Sequence, residues 1–390
     1  MKTLILSCNT GEGHNSCAKA IEEYYIKQGE TCSIEDGLQF VSSSFSKFIS
    51  WSDIFIYKHL PALFNWGYSK TEKHSDVFQE DAMLYKMFAT GTDRLYEYIK
   101  ENAFDRVICT HVFAALMLSA VIRKYKHPLV TGFVATDYTC YPGVKDCCLD
   151  YYFIPNDALS KEFEEAVPAN KIVPAGIPIR QMFFQKKEKE EAKRQWGISK
   201  DHKHLLIMCG SMGCGPIKKI SGTLAEKLKP DWDATIVCGN NHKLQEELED
   251  NFRGVSNIHI RGFVKDMSSL LDSADLYLTK PGGLSVTEAT LKGVPMVFVD
   301  AVAGCEEYNR AFFMKIGGAK SADNLEELAE NCLFLLESDD SRKKMELHLG
   351  VMANYNAAEI IYKTMKKEWK KQYGKDGQQK EMLQNTGTDT

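Results

Sequence analysis

Residues 204–216 read HLLIMCGSMGCGP, a short apolar strand followed by a glycine-rich turn and a proline. Proline suits the first turn of a helix, and the apolar residues after it, Ile217, Ile220, Leu224 and Leu228, recur at the spacing of one helical face. Strand, glycine turn and helix in this order indicate the opening unit of a Rossmann-like domain. Residues 3–14, TLILSCNTGEGH, begin the same pattern, so the chain is predicted to contain two such domains.

Further strand-length apolar segments alternate with helical segments in both halves. They are Arg106 to Thr110, Leu129 to Ala135, Tyr151 to Ile154 and Lys171 to Pro174, then Ala234 to Cys238, Ile258 to Arg261, Asp275 to Thr279 and Val294 to Val299. This alternation predicts an α/β fold with two doubly wound parallel sheets, and two such domains facing a central cleft are the simplest architecture. The charged stretch from Lys186 to Arg194 places the linker at about residues 180 to 200.

Composition narrows the class of protein. The 390 residues are enough for two cores, and 44% hydrophobic with 26% charged residues is the balance of a folded chain. No signal peptide or membrane-spanning segment is expected, because no apolar run is long enough. The 12 cysteines lack CxxC spacing, which argues against a zinc site and indicates reduced thiols in the cytoplasm. A net charge of −5 gives no reason to expect nucleic acid as a partner.

Two glycine turns are candidates for phosphate binding. The turn Gly210-Ser211-Met212-Gly213 precedes a helix N-terminus, where free backbone N–H groups and the helix dipole favour a diphosphate. The first turn has Ser16 where the dinucleotide fingerprint has its third glycine. An NAD site stays open at this point, since Glu35 and Asp36 end a predicted second strand.

The strongest local signal is KPGGLSVTE at residues 280–288, between a strand and a helix. Its small residues would let a ligand approach the helix start closely, and Glu288 lies where a carboxylate could accept two ribose hydroxyls. After the next strand, residues 304–309 (GCEEYN) place polar groups at the carboxyl edge of the sheet, where open α/β sheets bind ligands. In the first half, Asp137 and His111 also follow strands, although such residues are often only turn or helix caps.

With these motifs the chain resembles the diacylglycerol glycosyltransferase and monogalactosyldiacylglycerol synthase family, a GT-B family related to the lipid-II-forming N-acetylglucosaminyltransferase. The resemblance runs from GEGH at residues 11–14 through the helix after Asn309. It implies an acceptor- and membrane-binding domain at 1–180 and a UDP-sugar-binding domain at 201–355. A helix at 356–372 would pack back on the first domain, and residues 373–390 would form a flexible tail.

The resemblance also implies roles for individual residues. Gly210, Ser211, Met212 and Gly213 would contact the diphosphate, with Gly283, Leu284 and Ser285 close to the phosphates. Phe263 and Val264 would hold the uracil, Glu288 the ribose, and Glu306 and Asn309 the transferred sugar. The family usually has Gln where this chain has Cys305, and a thiol is a poor replacement for an amide, so the identity of the donor sugar stays open.

The implied reaction is an inverting transfer of a hexose from UDP-glucose or UDP-galactose to a lipid such as diacylglycerol. His14 or Asp137 would remove the proton of the acceptor hydroxyl, and no metal or other cofactor is expected. The alternatives are a GT-B enzyme with a non-lipid acceptor, a UDP-sugar epimerase, and a UDP-sugar sensor without catalysis.

An aromatic-rich stretch from Leu38 to Thr90 includes Trp51, Phe55, Phe64 and Trp66, which are predicted to contact the acceptor and the membrane surface. Some of these aromatic side chains are expected to belong to the core instead. The protein is therefore expected to be cytoplasmic and peripheral on the inner face of the cell membrane.

Overall fold

The computed structural model describes residues 1–9, 12–42, 44, 46, 78–79, 82–210, 213, 215–299, 304–322, 324–352 and 356–385, without the side chains of Leu84 and residues 375–385. The chain forms two compact units. Unit 1 comprises Met1–Gln181 and Tyr355–Thr390, and unit 2 comprises Met182–Asn354.

Unit 1 is built on a six-stranded parallel sheet. Its strands are β1 (Lys2–Ser7), β2 (Thr31–Asp36), β3 (Arg106–Cys109), β4 (Val130–Val134), β5 (Tyr151–Ile154) and β6 (Ile172–Pro174), in the order β2-β1-β3-β4-β5-β6. Its helices are α1 (Glu12–Lys27), α2 (Met83–Ala89), α3 (Thr92–Glu101), α4 (Val112–Tyr125), α5 (Ser160–Glu164) and, from the end of the chain, α14 (Ala357–Asn385). Short 3₁₀ turns occupy Gly37–Phe40, Val144–Asp146, Asp157–Leu159 and Ala169–Lys171.

Helix α14 completes the core of unit 1. Its residues Ile361, Met365 and Trp369 are buried in one cluster with Tyr25 of α1 and Phe153 of β5. The buried Arg106 lies over the Tyr25 ring and pairs with Glu30, which also accepts a hydrogen bond from the Tyr362 hydroxyl at 2.8 Å. The helix is interrupted at Gly374, whose φ of +49° suits glycine. The flexibility expected for residues 373–390 stays a prediction.

Unit 2 holds a second six-stranded parallel sheet. Its strands are β7 (Lys203–Met208), β8 (Trp232–Val237), β9 (Ile258–Arg261), β10 (Leu276–Thr279), β11 (Met296–Phe298) and β12 (Ala319–Ser321), in the order β12-β11-β10-β7-β8-β9. Its helices are α6 (Lys189–Gln195), α7 (Ile217–Ala225), α8 (His242–Asn251), α9 (Met267–Ser273), α10 (Gly283–Lys292), α11 (Cys305–Lys315), α12 (Leu325–Glu337) and α13 (Asp339–Met352), and Gln181–Phe184 is a 3₁₀ turn at its start. The predicted α/β class with two doubly wound parallel sheets is confirmed.

Each sheet has a point where the chain reverses the direction in which it adds strands. In unit 1, β2 lies on one side of β1 and β3 on the other. In unit 2, β8 and β10 flank β7 in the same way. In open α/β sheets, ligands bind at the carboxyl edge next to such a reversal point. Among the helices of the described residues, none is long and apolar enough to cross a lipid bilayer.

Candidate active site

His14 lies at the reversal point of unit 1, in the first turn of α1. Its Nδ1 is 2.8 Å from the backbone carbonyl oxygen of Thr110, which directly follows β3. The Thr110 hydroxyl in turn donates to the His14 carbonyl over 3.3 Å. A carbonyl oxygen can only accept, so Nδ1 must carry the proton and Nε2 of the neutral ring presents a lone pair. This tautomer is the one that a general base requires.

The surroundings of His14 keep its ring neutral near pH 7. Burial lowers the pKa of His14, and the charge of Asp137 and the hydrogen bond to the Thr110 carbonyl offset part of this effect. The ring of His111 packs edge-on against it, with 4.6 Å between the ring centroids. His111 caps helix α4, because its Nδ1 accepts the Phe113 N–H at 3.1 Å, and burial holds its pKa well below the ordinary histidine value.

Asp137 belongs to the same polar cluster as His14. The Tyr141 hydroxyl donates to the Asp137 carboxylate and lies 3.0 Å from the Thr136 hydroxyl. Thr136 Oγ1 is 3.1 Å from Nδ1 of His14. The two residues that the sequence offered as alternative bases are therefore connected through two hydroxyl groups. The sequence assigned no role to Tyr141, which lies four residues after Asp137 in a segment without regular secondary structure.

The glycine turn of unit 2 follows β7 and is shaped by close backbone approach. Gly213 has a φ of +56°, and a Cβ atom there would lie 2.3 Å from the Cys238 carbonyl oxygen. Its N–H closes a tight turn onto the Gly210 carbonyl at 3.1 Å. A Cβ on Gly210, whose φ is +76°, would lie 3.0 Å from Cε of Lys280. The turn is thus restricted to glycine at both ends, as a loop that wraps a diphosphate requires.

Lys280 is the cation at this reversal point. It follows β10, and its Nζ donates to Oε1 of Glu306 over 2.7 Å. Both side chains keep part of their surface exposed, 21% for the lysine and 13% for the glutamate. A lysine next to a glycine turn suits the negative charge of a diphosphate. Sequence interpretation included Lys280 in the KPGG motif without giving it a role.

Asn309 is fully buried in helix α11. Its side-chain amide donates to the Pro281 carbonyl over 2.8 Å, which braces the turn between β10 and α10. The residues predicted to contact the sugar, Glu306 and Asn309, therefore both hold the KPGG turn from one helix. Their contact with the sugar stays a prediction.

Helix α10 begins at Gly283, with Gly282 as its N-cap, so small residues surround its N-terminus. Leu284, Ser285 and Glu288 lie in its first two turns and are partly buried. Phe263 is 60% exposed at the end of β9, beside the partly buried Val264. At the preceding Gly262, a Cβ atom would lie 2.5 Å from Oε1 of Gln245. These residues are placed where the predicted nucleotide contacts could form, and the contacts themselves stay predictions.

Several predicted site residues lie outside the described residues. They are Ser211 and Met212 of the glycine turn, and Trp51, Phe55, Phe64 and Trp66 of the aromatic stretch. Among the residues that the structure does describe, no cluster of His, Cys, Asp or Glu is arranged to hold a metal ion.

Curated relatives cover nearly the whole chain. A protein of Bacillus licheniformis named processive diacylglycerol beta-glucosyltransferase is 28% identical over 369 residues, which is 92% of this chain and 92% of the relative. The Bacillus subtilis protein of the same name is 26% identical over 377 residues, covering 94% and 95% of the two chains.

Solved structures share the fold. MurG of Acinetobacter baumannii superposes with a TM-score of 0.64 at 15% identity, covering 94% of this chain and 99% of that one. The UDP-GlcNAc 2-epimerase of Neisseria meningitidis bound to UDP-GlcNAc superposes with a TM-score of 0.61 at 16% identity, covering 94% and 100%. The architecture is that of GT-B proteins such as MurG, as the sequence predicted.

Two family models divide the chain along its two units. The model described as monogalactosyldiacylglycerol (MGDG) synthase matches residues 14–179, and the model described as glycosyl transferases group 1 matches residues 217–347. The first match begins at His14, the residue whose ring nitrogen is fixed by Thr110. Both matches and the curated relatives confirm the predicted resemblance to the monogalactosyldiacylglycerol synthase and diacylglycerol glycosyltransferase family, and the fold is that of GT-B proteins.

Proposed function

We propose that this protein transfers a hexose from a UDP-sugar to the free hydroxyl of diacylglycerol with inversion at the anomeric carbon. The observation that carries the proposal is the 2.8 Å contact between Nδ1 of His14 and the Thr110 carbonyl oxygen, which assigns the proton to Nδ1 and leaves Nε2 as a base at the carboxyl edge of the first sheet. The curated relatives, named diacylglycerol beta-glucosyltransferases, support the same reaction.

The reaction balances with the groups available. His14 Nε2 takes the proton of the acceptor hydroxyl while that oxygen forms a bond to the anomeric carbon. The bond from this carbon to the diphosphate breaks, and UDP leaves with its negative charge. In UDP-glucose the sugar is α-linked, so a β-glucoside is the product of one inverting displacement.

Unit 2 is proposed to bind the UDP-sugar. Lys280 and the N-terminus of α10 would stabilise the charge that develops on the departing diphosphate. This arrangement leads us to propose that the transfer needs no divalent metal or other cofactor. Retention of full activity in EDTA is the expected result, and loss that Mg²⁺ restores would contradict it.

The acceptor confines the reaction to a membrane surface. Diacylglycerol stays in the bilayer, so we propose that the enzyme works as a peripheral protein on the inner face of the cell membrane, where UDP-sugars are available. The aromatic stretch with Trp51, Phe55, Phe64 and Trp66 is the proposed contact.

The test is incubation of the purified protein with vesicles that contain diacylglycerol and with one UDP-sugar at a time. The lipids are then analysed by mass spectrometry. UDP-glucose and UDP-galactose are run in separate arms, since Cys305 leaves the donor sugar open. Hexosyl-diacylglycerol with a β linkage by NMR is the expected product. Conversion of a UDP-sugar to its epimer without lipid, or UDP binding with no turnover in any arm, would overturn the proposal.

A further inference from the structure

We propose that Tyr141 and Thr136 are positioning residues that couple the Asp137 carboxylate to the ring of His14. The inference rests on the proposed function, because it takes His14 as the base of the transfer. The two residues that the sequence offered as alternative bases would then act together. His14 accepts the proton, and Asp137 acts on it through two hydroxyl groups.

The direction of each hydrogen bond follows from its endpoint. Asp137 accepts from the Tyr141 hydroxyl, which uses the single proton of that hydroxyl. The 3.0 Å contact between the hydroxyls of Tyr141 and Thr136 must then use the proton of Thr136. Thr136 Oγ1 can then only accept a hydrogen bond from Nδ1–H of His14, which lies 3.1 Å away. The same N–H also donates to the Thr110 carbonyl oxygen.

In all three hydrogen bonds of this chain of side chains, the donor therefore lies on the imidazole side and the acceptor on the carboxylate side. When Nε2 takes the acceptor proton, the positive charge of the imidazolium faces an ordered row of dipoles that ends in a negative charge. The proton stays on His14 and Asp137 remains ionised, as in catalytic triads. The chain also fixes the ring, so that Nε2 keeps its orientation.

The other groups around His14 do not replace this chain. His111 reaches the ring from the N-terminus of α4, and its own pKa is held well below the ordinary histidine value by burial. Thr110 contributes a neutral carbonyl after β3, and Glu12 lies exposed on α1 itself. Asp137 is the carboxylate whose charge raises the pKa of His14 against the effect of burial.

The first experiment compares Tyr141→Phe with Tyr151→Phe. Both variants lose one hydroxyl that donates to a carboxylate in unit 1, since Tyr151 donates to Glu368 over 2.8 Å. Tyr141→Phe should lower kcat about tenfold, leave the KM for UDP-sugar within about twofold, and move the acid limb of the kcat profile to lower pH. Tyr151→Phe should change none of these. Equal behaviour of the two variants overturns the proposal.

A double-mutant cycle tests the coupling directly. Asp137→Asn and Tyr141→Phe should each lower kcat, and the double variant should be no slower than Asp137→Asn alone, because both changes break the same chain. Multiplicative losses would mean that the residues act separately and would overturn the inference. Thr136→Val should behave like Tyr141→Phe while Thr136→Ser retains activity, and this pair decides the matter if Tyr141→Phe does not fold.

A measurement that does not depend on catalytic turnover distinguishes this inference from the proposed function. Imidazole ¹⁵N shifts of His14 should report the Nδ1–H tautomer in the wild type and a lower pKa in Tyr141→Phe and Asp137→Asn. If these shifts appear while no lipid product forms, the coupling stands and the proposed reaction fails. If the product forms and the pKa of His14 is the same in all three proteins, the reaction stands and the coupling is wrong.

Discussion

The reversal points of the two sheets have the same topology and opposite chemistry. In unit 1 the edge after β1 and β3 carries side chains that can accept or hold a proton, with His14 linked to Asp137 through Thr136 and Tyr141. In unit 2 the edge after β7 and β10 carries a glycine turn, with Gly210 and Gly213 at positive φ and the Lys280 side chain beside Gly210. We therefore propose that the edge of unit 1 carries the reactive groups and that the edge of unit 2 binds the diphosphate.

Because unit 1 presents side chains and unit 2 presents a glycine turn, the two edges should tolerate different kinds of substitution. Deleting a side chain in unit 1 removes chemistry and leaves the backbone as it was. Adding a single methyl group to the glycine turn of unit 2 collides with a carbonyl oxygen. Five measurements test this difference between the two units.

The largest expected effect is that of His14→Ala. Loss of the base should lower kcat by about 10²- to 10⁴-fold, while the Kd for UDP stays nearly unchanged because unit 2 keeps its site. Turnover with UDP-glucose and vesicles gives the first quantity, and calorimetric titration with UDP gives the second. Full activity in a folded variant would assign the proton transfer to another residue.

Gly213→Ala should destabilise unit 2 by about 2–4 kcal/mol, since it combines a left-handed backbone with a Cβ 2.3 Å from the Cys238 carbonyl oxygen. Denaturant unfolding measures the change. Gly222→Ala in helix α7 is the matched control, because no atom lies within 4 Å of its Cβ position. A stability of Gly213→Ala equal to that of the control would show that the turn is not restricted to glycine.

Glu288→Ala should weaken UDP binding by about 1.5–3 kcal/mol, because the ribose hydroxyls would lose a charged acceptor. Calorimetric titration with UDP is the measurement. Glu247→Ala serves as the control, since that carboxylate pairs with Lys218 on the surface of the same unit. An unchanged Kd in folded Glu288→Ala would remove this residue from the nucleotide site.

Replacing Trp51 and Trp66 together by Ser should weaken vesicle binding tenfold or more, since partial burial of each ring at the headgroup boundary contributes on the order of 1 kcal/mol. Vesicle sedimentation measures it, and the Kd for UDP should not change. Phe334→Ser with Leu347→Ser is the control, because these exposed apolar side chains belong to unit 2. Undiminished sedimentation of the tryptophan variant would place the membrane contact elsewhere, and unfolding would place the tryptophans in the core.

The smallest effect is a displacement in the pH profile. A base works only when neutral, so kcat should fall as the pH drops through the pKa of His14. Burial lowers that pKa, which places the acid limb below the ordinary histidine value of about 6.5. A limb centred above this value in the kcat profile would contradict the assignment.

Much of this fold could be predicted because parallel strands covered on both faces are continuous apolar runs. The apolar run at Tyr151 to Ile154 coincides with β5 to the residue, and the alternating segment Ile258 to Arg261 coincides with the edge strand β9. Strand β12, Ala319–Ser321, was missed because three residues with lysine at their centre carry no periodic signal.

The site could be predicted only in part. Glycines and carboxylates that follow strands indicate the carboxyl edge of a parallel sheet. Hydrogen bonds between residues far apart in the chain cannot be predicted from a single sequence. His14 and Thr136 are 122 positions apart and meet only because β1, β3 and β4 are adjacent in the sheet. Lys280 lies beside Gly210, which is 70 residues earlier in the sequence, and only the fold shows that the two are close.

The return of α14 to the core of unit 1 has a consequence during synthesis on the ribosome. Unit 1 lacks the helix that covers Tyr25 and Phe153 until the residues around Trp369 have left the exit tunnel. Unit 2, a continuous segment, is translated in between, and at about 5–20 residues per second its 182–354 segment takes roughly 10–35 seconds. The half of the molecule that is made first is therefore finished last, and its apolar surface is the one that a nascent-chain chaperone would meet.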